Sequence, residues 1–339
     1  MLEKPNLQDE NIITCLQDEY GLDIEIVSFL PLGADQDTAV YRVSAADGRE
    51  YFLKLRKGAF DEAIVSVPNY LSRLGIRQVI PALTTRTGQG WAHLDPFKAI
   101  LYPFVEGHNG FDEKMSEWQW GEFGRALKSI HTTVVPPEVT GGLRREAFSP
   151  QWRERVRSRL ALIGKKKFED PIAAEMATFL LTKREETFDL VQRTERLALA
   201  LQDQPLDFLL CHGDIHGWNL LLDDHGRLYI VDWDTLMFAP KERDLMFIGS
   251  GLGDSGYTPQ EEEAMFYRGY GQASINQMAI AYYRYERILE DIAVFCEQIV
   301  SPERGEEDRK QSLVFLKSNY LPNNTIEIAR ASDKTVSAG

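Results

Sequence analysis

Cys211-His-Gly-Asp214-Ile-His-Gly-Trp-Asn219, then Leu220-Leu-Leu222, a turn, and Tyr229-Ile-Val-Asp232-Trp-Asp234 form the stretch whose reading decides the fold. The apolar run Phe208-Leu-Leu-Cys211 reads as a strand that delivers Asp214 into a loop. Asn219 follows five residues on, where a second strand begins. Asp223-Asp-His-Gly226 supplies the turn, and the returning strand ends at Asp232, thirteen residues after Asn219 and beside the loop. One carboxylate, one carboxamide and a second carboxylate are thereby expected in one small volume. Phosphoryl transfer calls for that inventory, because its transition state needs positioned groups and a held Mg²⁺ more than covalent chemistry. Mg²⁺ takes oxygen ligands and keeps several waters, so Asn219 and Asp232 suffice as its protein ligands. Asp214 is then placed to accept a hydroxyl proton, a contribution of typically ~10²–10⁴ in rate.

Outward from this segment, the first third predicts strands with few helices. Leu7 to Tyr20 carries apolar residues at helical spacing. Ile24–Leu30, Ala39–Val43 and Tyr51–Leu55 are short and β-branched or alternating, with Gly33 and Asp47-Gly48 between them. A helix is expected from about Asp61 to Leu74, closed by Gly75. Gly90–Leu94 and Ala99–Val105 read as further strands, the second running into a linker at Pro103. Helical patterns dominate from Ser116: Trp118–His131, Pro150–Leu162, a long Ala173–Leu201 segment expected to break, Glu261–Gly269 and Met278–Ile299. Ala331 to Gly339 is small and polar and is expected to fray. The fold class is α+β and bilobal. Residues 1–100 form a small β-rich lobe, 101–110 a linker, 111–330 a larger helical lobe with a β island, and 331–339 a flexible tail.

The spacing H-x-D-x-x-x-x-N, followed by an apolar hairpin and Asp, matches a kinase catalytic loop and its metal aspartate. The chain resembles the aminoglycoside phosphotransferase family, whose members carry His-Gly-Asp-Ile-His-x-x-Asn and a later Ile-x-x-x-Asp-Trp-Asp or Glu. The resemblance extends toward the spectinomycin-phosphorylating branch through Ser149-Pro-Gln-Trp-Arg-Glu154, Ala239–Gly249 and Tyr282–Ala293, covering Gly33 to about Ala293. It implies a protein-kinase-like fold, ATP and Mg²⁺ as cofactors, Asp214 as base, and Asn219 and Asp232 as metal ligands. It also implies that Lys54 orients the α- and β-phosphates, with Glu62 as its partner (Asp61 is adjacent and stays open). Leu101–Gly107, with Pro103 and Val105, then reads adenine through its backbone above a floor at Leu221. One departure stands out: the loop Leu30–Thr38 over the nucleotide has a single glycine, Gly33, in place of G-x-G-x-x-G.

Other readings compete. His212-x-Asp214-x-His216 could hold a transition metal for a metallohydrolase. The four other histidines, His93, His108, His131 and His225, form no second cluster. Asp234, two residues beyond the metal aspartate, is expected to face the acceptor. Glu286 and Glu290 share a helix face by i,i+4 spacing and form either a solvated surface or an acidic wall for an amine-bearing substrate. Asp244 is expected to anchor the catalytic loop through backbone N–H bonds, and Phe266–Tyr270 to lie in the core. A metabolic kinase of the same fold, acting on choline, homoserine, thioribose or a sugar amine, shares this loop. A non-catalytic ATP-binding protein is disfavoured by Lys54, Asp214, Asn219 and Asp232.

The net charge of −14 argues against nucleic-acid binding and suits a cationic small-molecule substrate. No apolar stretch approaches a membrane span, and no h-region follows the polar start. Cys15, Cys211 and Cys296 are far apart, which suits free thiols in the cytoplasm. No heptad seam predicts a coiled-coil dimer, and a monomer is expected.

Overall fold

The computed structural model describes residues 2–33, 35, 37–250, 256–302 and 304–338; of 335–338 only the backbone is described. Ala34 and Gln36 of the loop over the nucleotide, and Gly339 of the tail, lie outside the described residues.

The N-terminal lobe begins with helix α1 (Asp9–Cys15), β1 (Ile24–Leu30), β2 (Thr38–Ala45) and β3 (Glu50–Lys57). Helix α2 (Ala63–Arg73), β4 (Ala92–Leu94) and β5 (Phe97–Pro103) complete it. The strands make one antiparallel sheet in the order β1-β2-β3-β5-β4, with Lys54 opposite Val40 and Ile100. Alternation along β3 sends Tyr51, Leu53 and Leu55 into a core with Ile12 of α1 and with Leu16 just after it. The same alternation puts Lys54 and Arg56 on the opposite face, where Ile64 and Val65 of α2 cluster with Ile100 of β5. Another face of α2 works differently: Ala63, Val67 and Leu71, at i, i+4 and i+8, belong to the core of the other lobe. Val79 extends that attachment by bridging to Ile230. Helix α2 therefore ties the lobes together.

The C-terminal lobe contains β6 (Gly107–Asn109), α3 (Glu117–Thr132), α4 (Pro137–Thr140), α5 (Gln151–Ile163), α6 (Pro171–Thr182) and α7 (Arg184–Gln202). The β island follows as β7 (Leu209–Cys211), β8 (Leu220–Asp223), β9 (Leu228–Ile230) and β10 (Met237–Ala239). Then come α8 (Glu242–Leu245), α9 (Pro259–Tyr270), α10 (Gln277–Val300), α11 (Glu306–Ser318) and α12 (Thr325–Ala338). Capping boxes at Ser116/Gln119 and Thr258/Glu261 fix the starts of α3 and α9. Helix α10 is apolar on most sides and is the buried axis of the lobe, with Tyr282, Tyr283, Tyr285, Leu289 and Ile292 fully enclosed. Phe266 and Tyr270 are core residues, as expected.

Three local expectations change. Gly107–Asn109, read as linker, is strand β6 paired with β8. A Cβ on Gly107 would come 2.1 Å from the Leu222 carbonyl oxygen, so the approach requires glycine. Strand β10 was not expected; it pairs with β7 and closes the base of the catalytic loop. The segment from Ala331 is the second half of α12, not a frayed tail. Arg284 bonds Ser332 Oγ at 2.6 Å, and Arg193 and Arg196 hold Asp333 at 2.8 and 2.6 Å.

Candidate active site

Asp214 sits in the loop between β7 and β8. The loop's backbone is fixed by the buried Asp244, whose carboxylate accepts the N–H groups of His212 (2.9 Å) and Gly213 (2.7 Å). Asp244 is held in turn by His131 Nε2 at 2.9 Å, and His131 Nδ1 meets the Tyr270 hydroxyl at 2.8 Å. This is the anchoring role that its position suggested. Gly213 has φ 87°, and a Cβ there would lie 2.4 Å from the Thr235 carbonyl oxygen, so no other residue fits beneath the turn. His212 is structural: its ring packs on Trp233, and Nε2 bonds the Val231 carbonyl at 2.9 Å. That use leaves the histidine pair unsuited to a transition metal. Among the described residues, only His131, Cys211 and Asp244 approach metal-ligand spacing. The nitrogens of that histidine are taken by Tyr270 and Asp244, and both oxygens of that aspartate by the loop's N–H groups.

Asn219 donates its side-chain N–H to the Asp214 carbonyl at 2.8 Å, which leaves its carbonyl oxygen to ligate a cation. Asp232, at the end of β9, has φ 61°, a left-handed conformation that turns its half-exposed carboxylate away from the strand. These hard oxygen donors fit Mg²⁺, so the residues present suit the implied ion. Lys54 reaches across from β3 to Asp232 Oδ1 (2.7 Å) and Asp234 Oδ2 (2.9 Å), and Arg56 pairs with Asp234. Burial opposes the charge on Lys54, but the two aspartates overcome it and push its pKa above the usual lysine range. Burial would raise Asp232, yet Lys54 draws it below the ordinary carboxylate value. Asp234 is moved the other way, because burial and the Asp232 charge outweigh its cations.

Two assignments are corrected here. Glu62 is exposed just ahead of α2 and does not pair with Lys54, whose ion-pair partners are the two aspartates of the other lobe. Asp234, expected to face the acceptor, instead pairs with Lys54 and Arg56 of β3. Pro103 ends β5 in an exposed position and Val105 is half-buried beyond it; Leu221 lies on the face of β8 opposite buried Leu220 and Leu222.

The side of the cleft formed by α10 also differs from expectation. Glu286 is buried, paired with Arg153 at 3.5 Å, and burial pushes its carboxyl up to about 8; it forms no acidic wall. Glu290 remains partly exposed, 3.7 Å from the buried Arg243. Arg287, one turn before Asp291, makes an ion pair with Asp214 Oδ1. Burial would raise the Asp214 pKa, but Arg287 and then His216 hold it well below the carboxylate range. His216 Nε2 stands 3.5 Å from Asp214 Oδ2, with its ring among Phe111, Trp218 and Phe247. Sequence reading missed Arg56 and Arg287. The available signal for Arg56 was its place two residues after Lys54, on the same face of the strand; Arg287 shares its helix face with Arg284, Glu290 and Asp291, and no local pattern marks it.

The two lobes, the looped aspartate, the second aspartate after β9 and the lysine that meets it from the other lobe define a kinase-like phosphotransferase. A profile of the phosphotransferase enzyme family matches residues 28–288. A solved spectinomycin phosphotransferase, APH(9)-Ia, in complex with ADP and spectinomycin, is 36% identical with a TM-score of 0.87, over 98% of this chain and 100% of that one. Its AMP-bound complex is likewise 36% identical, with a TM-score of 0.82, over 95% and 98%. A microcompartment-associated aminopropanol kinase is 16% identical with a TM-score of 0.60, over 98% of each chain, a likeness of fold alone. No curated protein sequence matches the chain significantly. The chain belongs to the phosphotransferase enzyme family, the aminoglycoside phosphotransferases. It is an enzyme of that family, with an alcohol group as acceptor.

Proposed function

We propose that the protein transfers the γ-phosphoryl group of ATP to a ring hydroxyl of an aminocyclitol antibiotic, with spectinomycin as first-choice acceptor. The observation that carries this reading is the 36% identity, over essentially the whole of both chains, to an enzyme solved with ADP and spectinomycin. In this reading the acceptor oxygen attacks the γ-phosphorus, the bond to the β-phosphate oxygen breaks, ADP leaves, and the hydroxyl proton passes to Asp214 Oδ2. Asn219 and Asp232 hold Mg²⁺, which when bound neutralises charge on the phosphate oxygens. Lys54 orients the α- and β-phosphates, Leu221 underlies adenine, and the linker backbone around Pro103 and Val105 reads its edge. Glu290 is the carboxylate of the original pair still available to an acceptor amine.

The three cysteines are buried and unpaired, and consumption of ATP fits a cytoplasmic monomer acting on a small cationic molecule. No helix among the described residues is long and apolar enough to cross a membrane. The test is mass spectrometry of spectinomycin incubated with the enzyme and Mg²⁺-ATP, alongside choline, homoserine and other amino alcohols. A phosphorylated antibiotic with stoichiometric ADP is expected. A phosphorylated amino alcohol with untouched spectinomycin would reassign the substrate.

A further inference from the structure

Asp214 stands on a loop, and its side-chain torsion about the carboxylate is broad, so nothing in its own backbone selects which oxygen meets an acceptor. The structure supplies that selection from α10. Arg287 ion-pairs with Asp214 Oδ1, while its Nε donates to Asp291 Oδ1 at 3.1 Å. Asp291 Oδ2 accepts from Asn319 Nδ2 at 3.4 Å, and Asn319 Oδ1 accepts from the Thr325 hydroxyl at 2.6 Å. A chain of polar contacts thus runs from the loop through the most buried helix to the start of α12. The other carboxylate oxygen, Oδ2, stands 3.5 Å from His216 Nε2, longer than a well-formed hydrogen bond, and is not engaged by Arg287.

We propose that Arg287 is the positioning residue for the base: its guanidinium, braced by Asp291 and Asn319, occupies Asp214 Oδ1 so that Oδ2 faces the acceptor hydroxyl. The inference rests on the assignment of Asp214 as base. A planar guanidinium suits the task better than an ammonium, because its N–H groups are fixed relative to one another and can serve two carboxylates at once. Helix α10 makes the brace stiff, since Glu286 and Ile288 on either side of Arg287 are buried.

Arg287→Gln is expected to lower kcat ~10- to 10²-fold, as a misplacement near 1 Å does, with the KM for ATP nearly unchanged. Arg287→Lys should retain an intermediate kcat. In Arg287→Ala, added guanidinium chloride at non-denaturing concentration should restore part of the lost kcat. The same additive should do nothing for Asp214→Ala. Thermal melting checks that each variant folds. If Arg287→Gln does not fold, Asp291→Asn and Asn319→Ala carry the test, with smaller losses confined to kcat. A folded Arg287→Gln enzyme with wild-type kcat, or a loss borne by the KM for ATP, overturns the bracing role while an inactive Asp214→Ala leaves the base in place. Near-native turnover in Asp214→Ala overturns the base and the brace together.

Discussion

Two knots of charge flank the catalytic loop, and they are built to different ends. On one side Lys54 and Arg56 of β3 meet Asp232 and Asp234 across the gap between lobes. On the other, Arg287 joins Asp214 to Asp291, and every member belongs to the helical lobe. The first knot holds groups that the reaction needs for other purposes. Asp232 meets Lys54 through Oδ1 alone and is half-exposed, whereas Lys54 is shared between two aspartates on the side where the proposed reaction needs it for phosphates. In the proposed reaction Lys54 turns from the aspartates to the phosphates, so arrival of the nucleotide would exchange these contacts. The second knot engages Oδ1 of the base and not Oδ2, and its members all lie in one lobe, so it can persist through turnover.

The largest effect should come from removing the carboxylate that both Lys54 and the metal use. Asp232→Ala is expected to abolish productive Mg²⁺-nucleotide binding, read as the loss of a calorimetric titration with Mg²⁺-ATP. Asp214→Ala should instead lower kcat by at least ~10² while nucleotide affinity changes little, because the base acts only in the transfer step. If both variants lost affinity alike, the two knots would be one unit and the contrast would fail. Lys54→Met should be milder, raising the KM for ATP ~10-fold or more, the scale of one charge-assisted hydrogen bond at about 1.5–3 kcal/mol. A lowered kcat with unchanged KM would move Lys54 to the transfer step.

What the sequence made legible follows the same division. The loop, hairpin and second aspartate lie within two dozen residues, where spacing and turn chemistry carry the geometry. The five strands of the N-terminal sheet were readable from alternation, and the Asp244 anchor from its place after the β island. The pairs that close each knot are 178 and 73 residues apart, beyond any local pattern. The pairing of Asp234 with Lys54 and Arg56 depends on the three-residue turn Trp233–Thr235, which leaves no mark in the sequence. The end of the chain looked like a tail by composition, yet arginines from α7 and α10 hold Ser332 and Asp333 in a packed helix. Strand β10 is three residues long, too short to show a period.

Glu286 gives the smallest predicted effect and the finest test of where the acceptor side ends. Spacing put Glu286 and Glu290 on one helix face; packing buries the first among Arg153, Tyr282 and Tyr283 and leaves the second partly open. Burial outweighs Arg153 and pushes the Glu286 carboxyl up to about 8, against about 4.3 in an unfolded chain. Between those values the folded protein holds a proton that the unfolded chain releases, so stability is fully present below the lower value and is lost as pH rises toward 8. Protonation does not strand Arg153, which also donates to the Phe148 carbonyl at 3.1 Å. Glu286→Gln removes this titration. Its melting temperature should match wild type near pH 5 and exceed it increasingly toward pH 8.5. The underlying gain is on the order of a few kcal/mol at most, at about 1.4 kcal/mol per unit of pKa. Turnover should stay at the wild-type value, because Glu286 lies outside the knot that holds the base. A kcat loss in Glu286→Gln with an unchanged melting profile would return this carboxylate to the acceptor wall, and would show that the helical lobe's charges act on substrate from deeper in the core than their burial suggests.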